Sequence, residues 1–158
     1  MSVLSIFTAI ENSSLGAGIR DSAWLFPVIE SVHLLALTVI GGAVLVVSLR
    51  LLGFGMRSIS LRTIARSAQP MLNWSLVVMF ITGLLLFSSE AAKCYEHVAF
   101  WFKMTCLLLA CIFTFTTYRK VVMADEDTVT PVRARLTAIV SLALWTGVGI
   151  GGRWIGFS

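Results

Sequence analysis

Glu30 and His33 are ionisable groups inside a long apolar run, FPVIESVHLLALTVIGGAVLVVSLRLLG, at residues 26–53. Lys103 and Arg153 stand in two further apolar stretches. A charged group at the centre of a spanning helix costs at least ~2.5 kcal/mol on insertion scales, so such groups usually face the protein interior and serve a function. Glu30 and His33 are three residues apart, which places them on one helical face and ~4.5 Å apart along the axis. Three chemistries fit that spacing. Glu30 can orient the imidazole through one ring nitrogen while the other binds a haem iron. Both side chains can ligate a transition metal directly, as Glu-x-x-His pairs do in di-iron bundles, although the chain has no second such pair. Or the two form a buried hydrogen-bonded pair, with Lys103 or Arg153, that locks helices together.

The partner ligand is constrained by depth. With helix centres near Ala36 and Leu108, the 1.5 Å rise puts His33 ~4–5 Å and Lys103 ~7–8 Å from the midplane, against ~16 Å for His97. The mismatch of ~12 Å between the two histidines disfavours a coaxial His33–haem–His97 arrangement. Lys103 is therefore the better-matched group, either as an axial ligand or as a cation beside a propionate. Arg153 suits a propionate clamp, because guanidinium pairs two-pronged with carboxylates. For a metal such as copper, the candidate ligands are His33, Glu30 and His97, with the region of Cys94 as a route inward; imidazole, carboxylate and thiolate are plausible donors. No residue is assigned a catalytic role.

The elements that must position these groups follow from composition. Of 158 residues, 58% are hydrophobic and 13% charged, more apolar surface than a soluble domain of this length can hide. The sequence predicts an all-α integral membrane four-helix bundle forming a single domain over 1–158. Its spans run from about 23 to 49, 71 to 88, 98 to 118 and 136 to 157, each near the ~20 residues needed to cross. Pro27 and Pro70 suit early helical positions of the first two spans. Val3, Leu4, Ile6, Phe7 and Ile10 give an N-terminal helix one apolar side, so it is expected to lie along the membrane surface. That segment lacks the basic n-region of a secretory signal and reads as retained.

Arg50, Arg57, Arg62 and Arg66 fill the first connection, and Arg119, Lys120, Arg133 and Arg135 the third. The positive-inside rule makes that side cytoplasmic and puts both termini in the periplasm of a bacterial inner-membrane protein. Trp24, Trp101 and Trp154 then fall near the outer interface and Trp74 near the inner one. The net charge of +4 flanks oily segments, which marks topology and not a nucleic-acid surface. Gly147/Gly151 and Gly152/Gly156 are spaced for close approach of a helix or a flat macrocycle, and Gly41 with Gly42 adds a second smooth patch. Cys94, Cys106 and Cys111 make no CxxC pair or disulfide framework, and the latter two read as small hydrophobes. GVGIGGR at 147–153 has no preceding strand and is not a dinucleotide loop.

The strings IRDSAWLFPVIESVHLLAL, LRLLG, ITGLLLF, FWFKM, RARL and GGRWIGF resemble an uncharacterised bacterial four-span family that carries only a domain-of-unknown-function label. The layout is more loosely similar to CopD-type copper-resistance membrane domains and to HemJ-type protoporphyrinogen oxidases. The HemJ resemblance implies haem b, with an early-span histidine and a third-span lysine falling on His33 and Lys103. The CopD resemblance implies copper, for which no methionine-rich or clustered-histidine motif is present.

Three functions are therefore expected in competition. One is a b-type haem protein moving electrons between the quinone pool and a membrane or periplasmic partner, which leaves open whether it is itself an oxidoreductase. Another is copper or other transition-metal handling. The third is an accessory anchor in a larger redox or photosynthetic membrane complex.

Overall fold

A computed structural model describes residues 3–55, 58–124 and 128–155. Arg57 of the first connection, and Gly156 and Phe157 at the expected end of the fourth span, lie outside the described residues. The order of elements is α1 (Val3–Glu11), α2 (Ser14–Arg20), α3 (Leu25–Leu51), α4 (Leu61–Ser89), α5 (Ala91–Glu96), α6 (Val98–Phe113), a π-helical turn (Thr114–Tyr118), α7 (Arg119–Met123) and α8 (Pro131–Ile155). Four helical stretches are long and apolar enough to cross a membrane: α3, α4, α6 continuing through α7, and α8. The chain is an all-α, multi-pass membrane bundle.

Local sequence explains the helix ends. Ser22 Oγ accepts from the Leu25 N–H at 3.2 Å, and Pro27 sits in the first turn of α3, where its missing N–H has no partner to lose. At the other end Gly53 adopts φ 88°, a left-handed geometry that favours glycine. The Phe54 N–H then reaches Leu49 O at 2.9 Å and the Gly53 N–H reaches Arg50 O at 3.0 Å, the two bonds of a Schellman stop. Pro131 opens α8 at the first helical position.

The second span differs from expectation. It begins at Leu61, ten residues before the expected start, and Pro70 lies inside the helix instead of opening it. The cause is the Ser60 cap, whose hydroxyl accepts from the Thr63 N–H at 3.3 Å, followed by buried Leu61, Ile64, Ala65 and Leu72 on one face. That pattern carries the helix through a proline at the cost of one backbone bond. Arg62 anchors the extension by donating to Met123 O at 2.8 Å. Trp74 consequently lies midway along α4 and not at an end.

Two buried layers hold the bundle. Ile40, Val44, Leu76, Met79, Leu107 and Val148 fill its middle, and Val47, Leu61, Ala65, Val121, Val122 and Ala138 fill the arginine-rich end. Leu35, Leu84 and Leu108, each more than 60% exposed, face outward, as suits a chain solvated by acyl tails. Lipid gives helices little hydrophobic reason to associate, so close packing matters more. A Cβ at Gly151 would stand 3.0 Å from Lys103 Cβ and one at Gly147 would stand 3.0 Å from Cys106 Sγ, so these glycines let α8 lie against α6. Gly41 and Gly42 are instead exposed with open space around them, so the expected second patch packs against nothing. Cys106 and Cys111 are unbridged and pack against the middle layer.

The N-terminal segment is two helices where one was expected. Phe7 meets Phe87 and Tyr95 with ring centroids 5.4 and 5.1 Å away. Glu11 accepts the Ala92 N–H at 2.7 Å, capping the start of α5 from another part of the chain, and pairs with Arg20 at 3.2 Å. A Cβ at Gly16 would collide with the Ser88 carbonyl, so glycine is required where α2 crosses the end of α4. These contacts seat α1, α2 and α5 at the end of the bundle opposite the arginines.

Candidate functional site

At the α5 end, the four long helices enclose a cavity of about 390 Å³. Its wall includes Glu30 and His33 from α3, Lys103 from α6 and Arg153 from α8, the four ionisable residues singled out from the sequence. They converge because helical rise gives them similar depth on helices of alternating direction. His97 does not line this wall; it occupies the position just before α6, without a side-chain capping bond.

His33 is 7% exposed. Its Nδ1 lies 2.9 Å from Thr82 Oγ1, and the Thr82 hydroxyl donates to Val78 O at 2.7 Å. With the hydroxyl hydrogen directed at Val78, Oγ1 acts as acceptor for the imidazole, which assigns the ring hydrogen to Nδ1. The Nε2 lone pair is left without a hydrogen-bond partner among the described residues. Thr82, assisted by the Met79 backbone and not by Glu30, therefore orients the imidazole: Glu30 shares the helical face but is exposed at the cavity, while His33 turns in against α4. Gly83 completes the seat, since a Cβ there would approach His33 Cε1 to 3.3 Å.

Lys103 lies along the glycine face of α8, and a Cβ at Gly152 would be 3.5 Å from its Nζ. Among the described residues no hydrogen bond or ion pair engages that ammonium. Gly149 and Gly152 face the cavity, whereas Gly147 and Gly151 serve helix packing, so the glycine stripe divides between two roles.

Glu90, Lys93 and the phenylalanines that complete the wall were not expected from the sequence. Phe26, Phe87 and Phe100 supply aromatic surface, and Phe87 stacks on Phe100 at 5.6 Å between α4 and α6. Glu90, Lys93 and Cys94 arrive because α5 folds across the bundle end. Burial, reinforced by the Glu90 carboxylate, pushes the Cys94 thiol up to about 11. It is a neutral thiol at physiological pH, a weaker metal ligand than a thiolate. Among the described residues, no three His, Cys, Asp or Glu side chains converge as a metal cluster.

The site thus offers one free imidazole nitrogen, three cationic and two anionic side chains, and apolar walls of aromatic rings and bare glycine backbone. Its volume lies within the ~300–1,000 Å³ typical of small-molecule and cofactor sites. A multi-span membrane bundle with a charged cavity at one end is the class of protein that fold and site define. Residues 7–158 match the profile of a family of unknown function (DUF6644), and the chain belongs to that family. No curated protein and no solved structure matches the chain, so the CopD-type and HemJ-type likenesses gain no support.

Proposed function

We propose that this protein is a b-type haem-binding protein of the bacterial inner membrane that passes electrons between the quinone pool and a membrane or periplasmic partner. The observation that carries the reading is the His33 Nε2 lone pair, left free in the cavity wall by the Thr82 hydrogen bond. A neutral imidazole with its other nitrogen donating is the form that ligates iron. Haem, when bound, supplies a one-electron couple whose potential depends on ligands, burial and hydrogen bonding.

The chain's own residues fit such a group. His33 would hold the iron, and Lys103 would serve as second ligand or as a cation beside a carboxylate. Arg153 and Lys93 would hold the propionates through charge-assisted hydrogen bonds. The phenylalanines and Gly149 would accept the flat apolar faces, and the short helices α1, α2 and α5 would limit water at that end. The positive-inside rule assigns the arginine-rich end to the cytoplasm, which puts the cavity within reach of a periplasmic partner. Quinone would approach from the bilayer.

The test is the pyridine haemochrome and metal content of protein purified from its own host. About one haem per chain is expected. Copper without haem would shift the assignment to metal handling, and neither haem nor metal would leave the accessory-anchor reading, for which a larger stable complex on native gels is the mark.

A further inference from the structure

A groove of about 350 Å³ lies at the opposite end of the bundle, between the π-helical turn and the first turns of α8. Phe113, Leu136 and Val140 make its length apolar, and Thr130 and Arg133 stand at its end. Leu136 is 57% and Val140 39% exposed, so the groove is open to the side that faces acyl chains. Arg133 is exposed, and among the described residues no hydrogen bond or ion pair engages its guanidinium.

We propose that this groove binds one acyl chain of an anionic phospholipid, with the phosphate held by Arg133. Length and charge both support that occupant. From Val132 to Val140 the helical rise gives a track of ~12 Å, close to the ~15 Å half-thickness of a bilayer's hydrocarbon core. The apolar track therefore takes one leaflet's worth of chain and ends at headgroup depth. Arg133 lies in the first turn of α8, where the helix dipole adds to the attraction for a phosphate. Arg50, Arg62, Arg66, Arg119, Lys120 and Arg135 belong to the same end of the bundle and outnumber the acidic Asp125, Glu126 and Asp127 of the connecting sequence, which leaves that end net positive. The groove's other wall is built on the π turn, a distortion that often accompanies binding sites.

The proposal is independent of the haem cavity. Its test titrates delipidated protein in detergent with phosphatidylglycerol and with phosphatidylcholine and counts bound lipid by native mass spectrometry. Wild-type protein should bind one phosphatidylglycerol about tenfold more tightly than phosphatidylcholine, and Arg133→Gln should remove that preference. Val140→Trp, which obstructs the apolar track, should weaken both lipids, while Arg119→Gln, outside the groove, should keep the preference. Both groove substitutions fall on exposed positions, and circular dichroism checks that the helices persist. Equal binding of the two lipids, an Arg133→Gln variant that keeps the wild-type preference, or a second copy of the chain bound at this face in place of lipid would overturn the proposal.

Discussion

Replacing Thr82 with valine keeps the volume of the side chain and removes one oxygen. In the folded protein that oxygen accepts from His33 Nδ1 at 2.9 Å while its hydrogen goes to Val78 O at 2.7 Å. Thr82→Val therefore removes one of two acceptors from a buried imidazole, His33 being only 7% exposed and also bonded to the Met79 backbone. Loss of one such hydrogen bond costs ~0.5–1.5 kcal/mol. Thr82→Ser keeps the hydroxyl and should fall much closer to wild type. Unfolding in mixed detergent micelles measures the stability difference, and nitrogen-15 shifts of the imidazole report the tautomer: wild type should carry its hydrogen on Nδ1. If the cavity holds haem through Nε2, losing this orienting bond should weaken haem retention ~10–100-fold, the usual range for partners of metal-bound histidines. A Thr82→Val variant with wild-type stability, or a wild-type ring protonated at Nε2 alone, would refute the assignment of Thr82 as the group that sets the imidazole.

Further substitutions and one chemical treatment probe other parts of the structure. Gly151→Ala places a Cβ 3.0 Å from Lys103 Cβ and 3.2 Å from its Cα, so α8 and α6 must separate at a cost of ~1–3 kcal/mol by overpacking; Gly41→Ala, with open space around it, should be neutral or mildly stabilising in thermal unfolding. Ser141 Oγ is buried without a hydrogen-bond partner among the described residues, so Ser141→Ala should not destabilise and can gain up to ~1 kcal/mol in the same assay. The Cys94 thiol, raised by burial and by Glu90, should alkylate slowly at pH 7 and faster as pH climbs towards about 11, read by mass shift. Because its folded value is higher than the ordinary one, the folded state holds that proton longer, and Cys94 should lower stability as pH rises from about 9 to about 11, a dependence Cys94→Ala should remove.

The sequence made the spans legible because apolar length is a direct requirement of the bilayer. It also brought Glu30, His33, Lys103 and Arg153 towards one place, because helical rise alone fixes depth once the spans are set. What it did not disclose was rotation: Thr82 and Gly83, inside ITGLLLF, look like ordinary helix, and only the docking of α4 on α3 turns them towards His33. A threonine and glycine in an otherwise oily stretch were the available signal. The early start of α4 was hidden by Pro70, which usually marks a boundary, whereas the Ser60 cap and an amphipathic first turn outweighed it. The expected spans leave SEAAKCYEHV as a connection without an element of its own, yet part of it forms α5. Glu11, about eighty residues away in the chain, accepts the Ala92 N–H at its start, and no local pattern encodes that contact. His97 was set apart by depth arithmetic, and it is absent from the cavity wall.

The central claim is that the imidazole of residue 33 presents a free nitrogen to a cavity that holds haem. Its most direct measurement is the reduced-minus-oxidised absorption spectrum of host-purified protein beside His33→Ala. Soret and alpha bands are expected in the first and their loss in the second, with the variant still folded by circular dichroism. Colourless wild-type protein, or bands that survive the substitution, would contradict it.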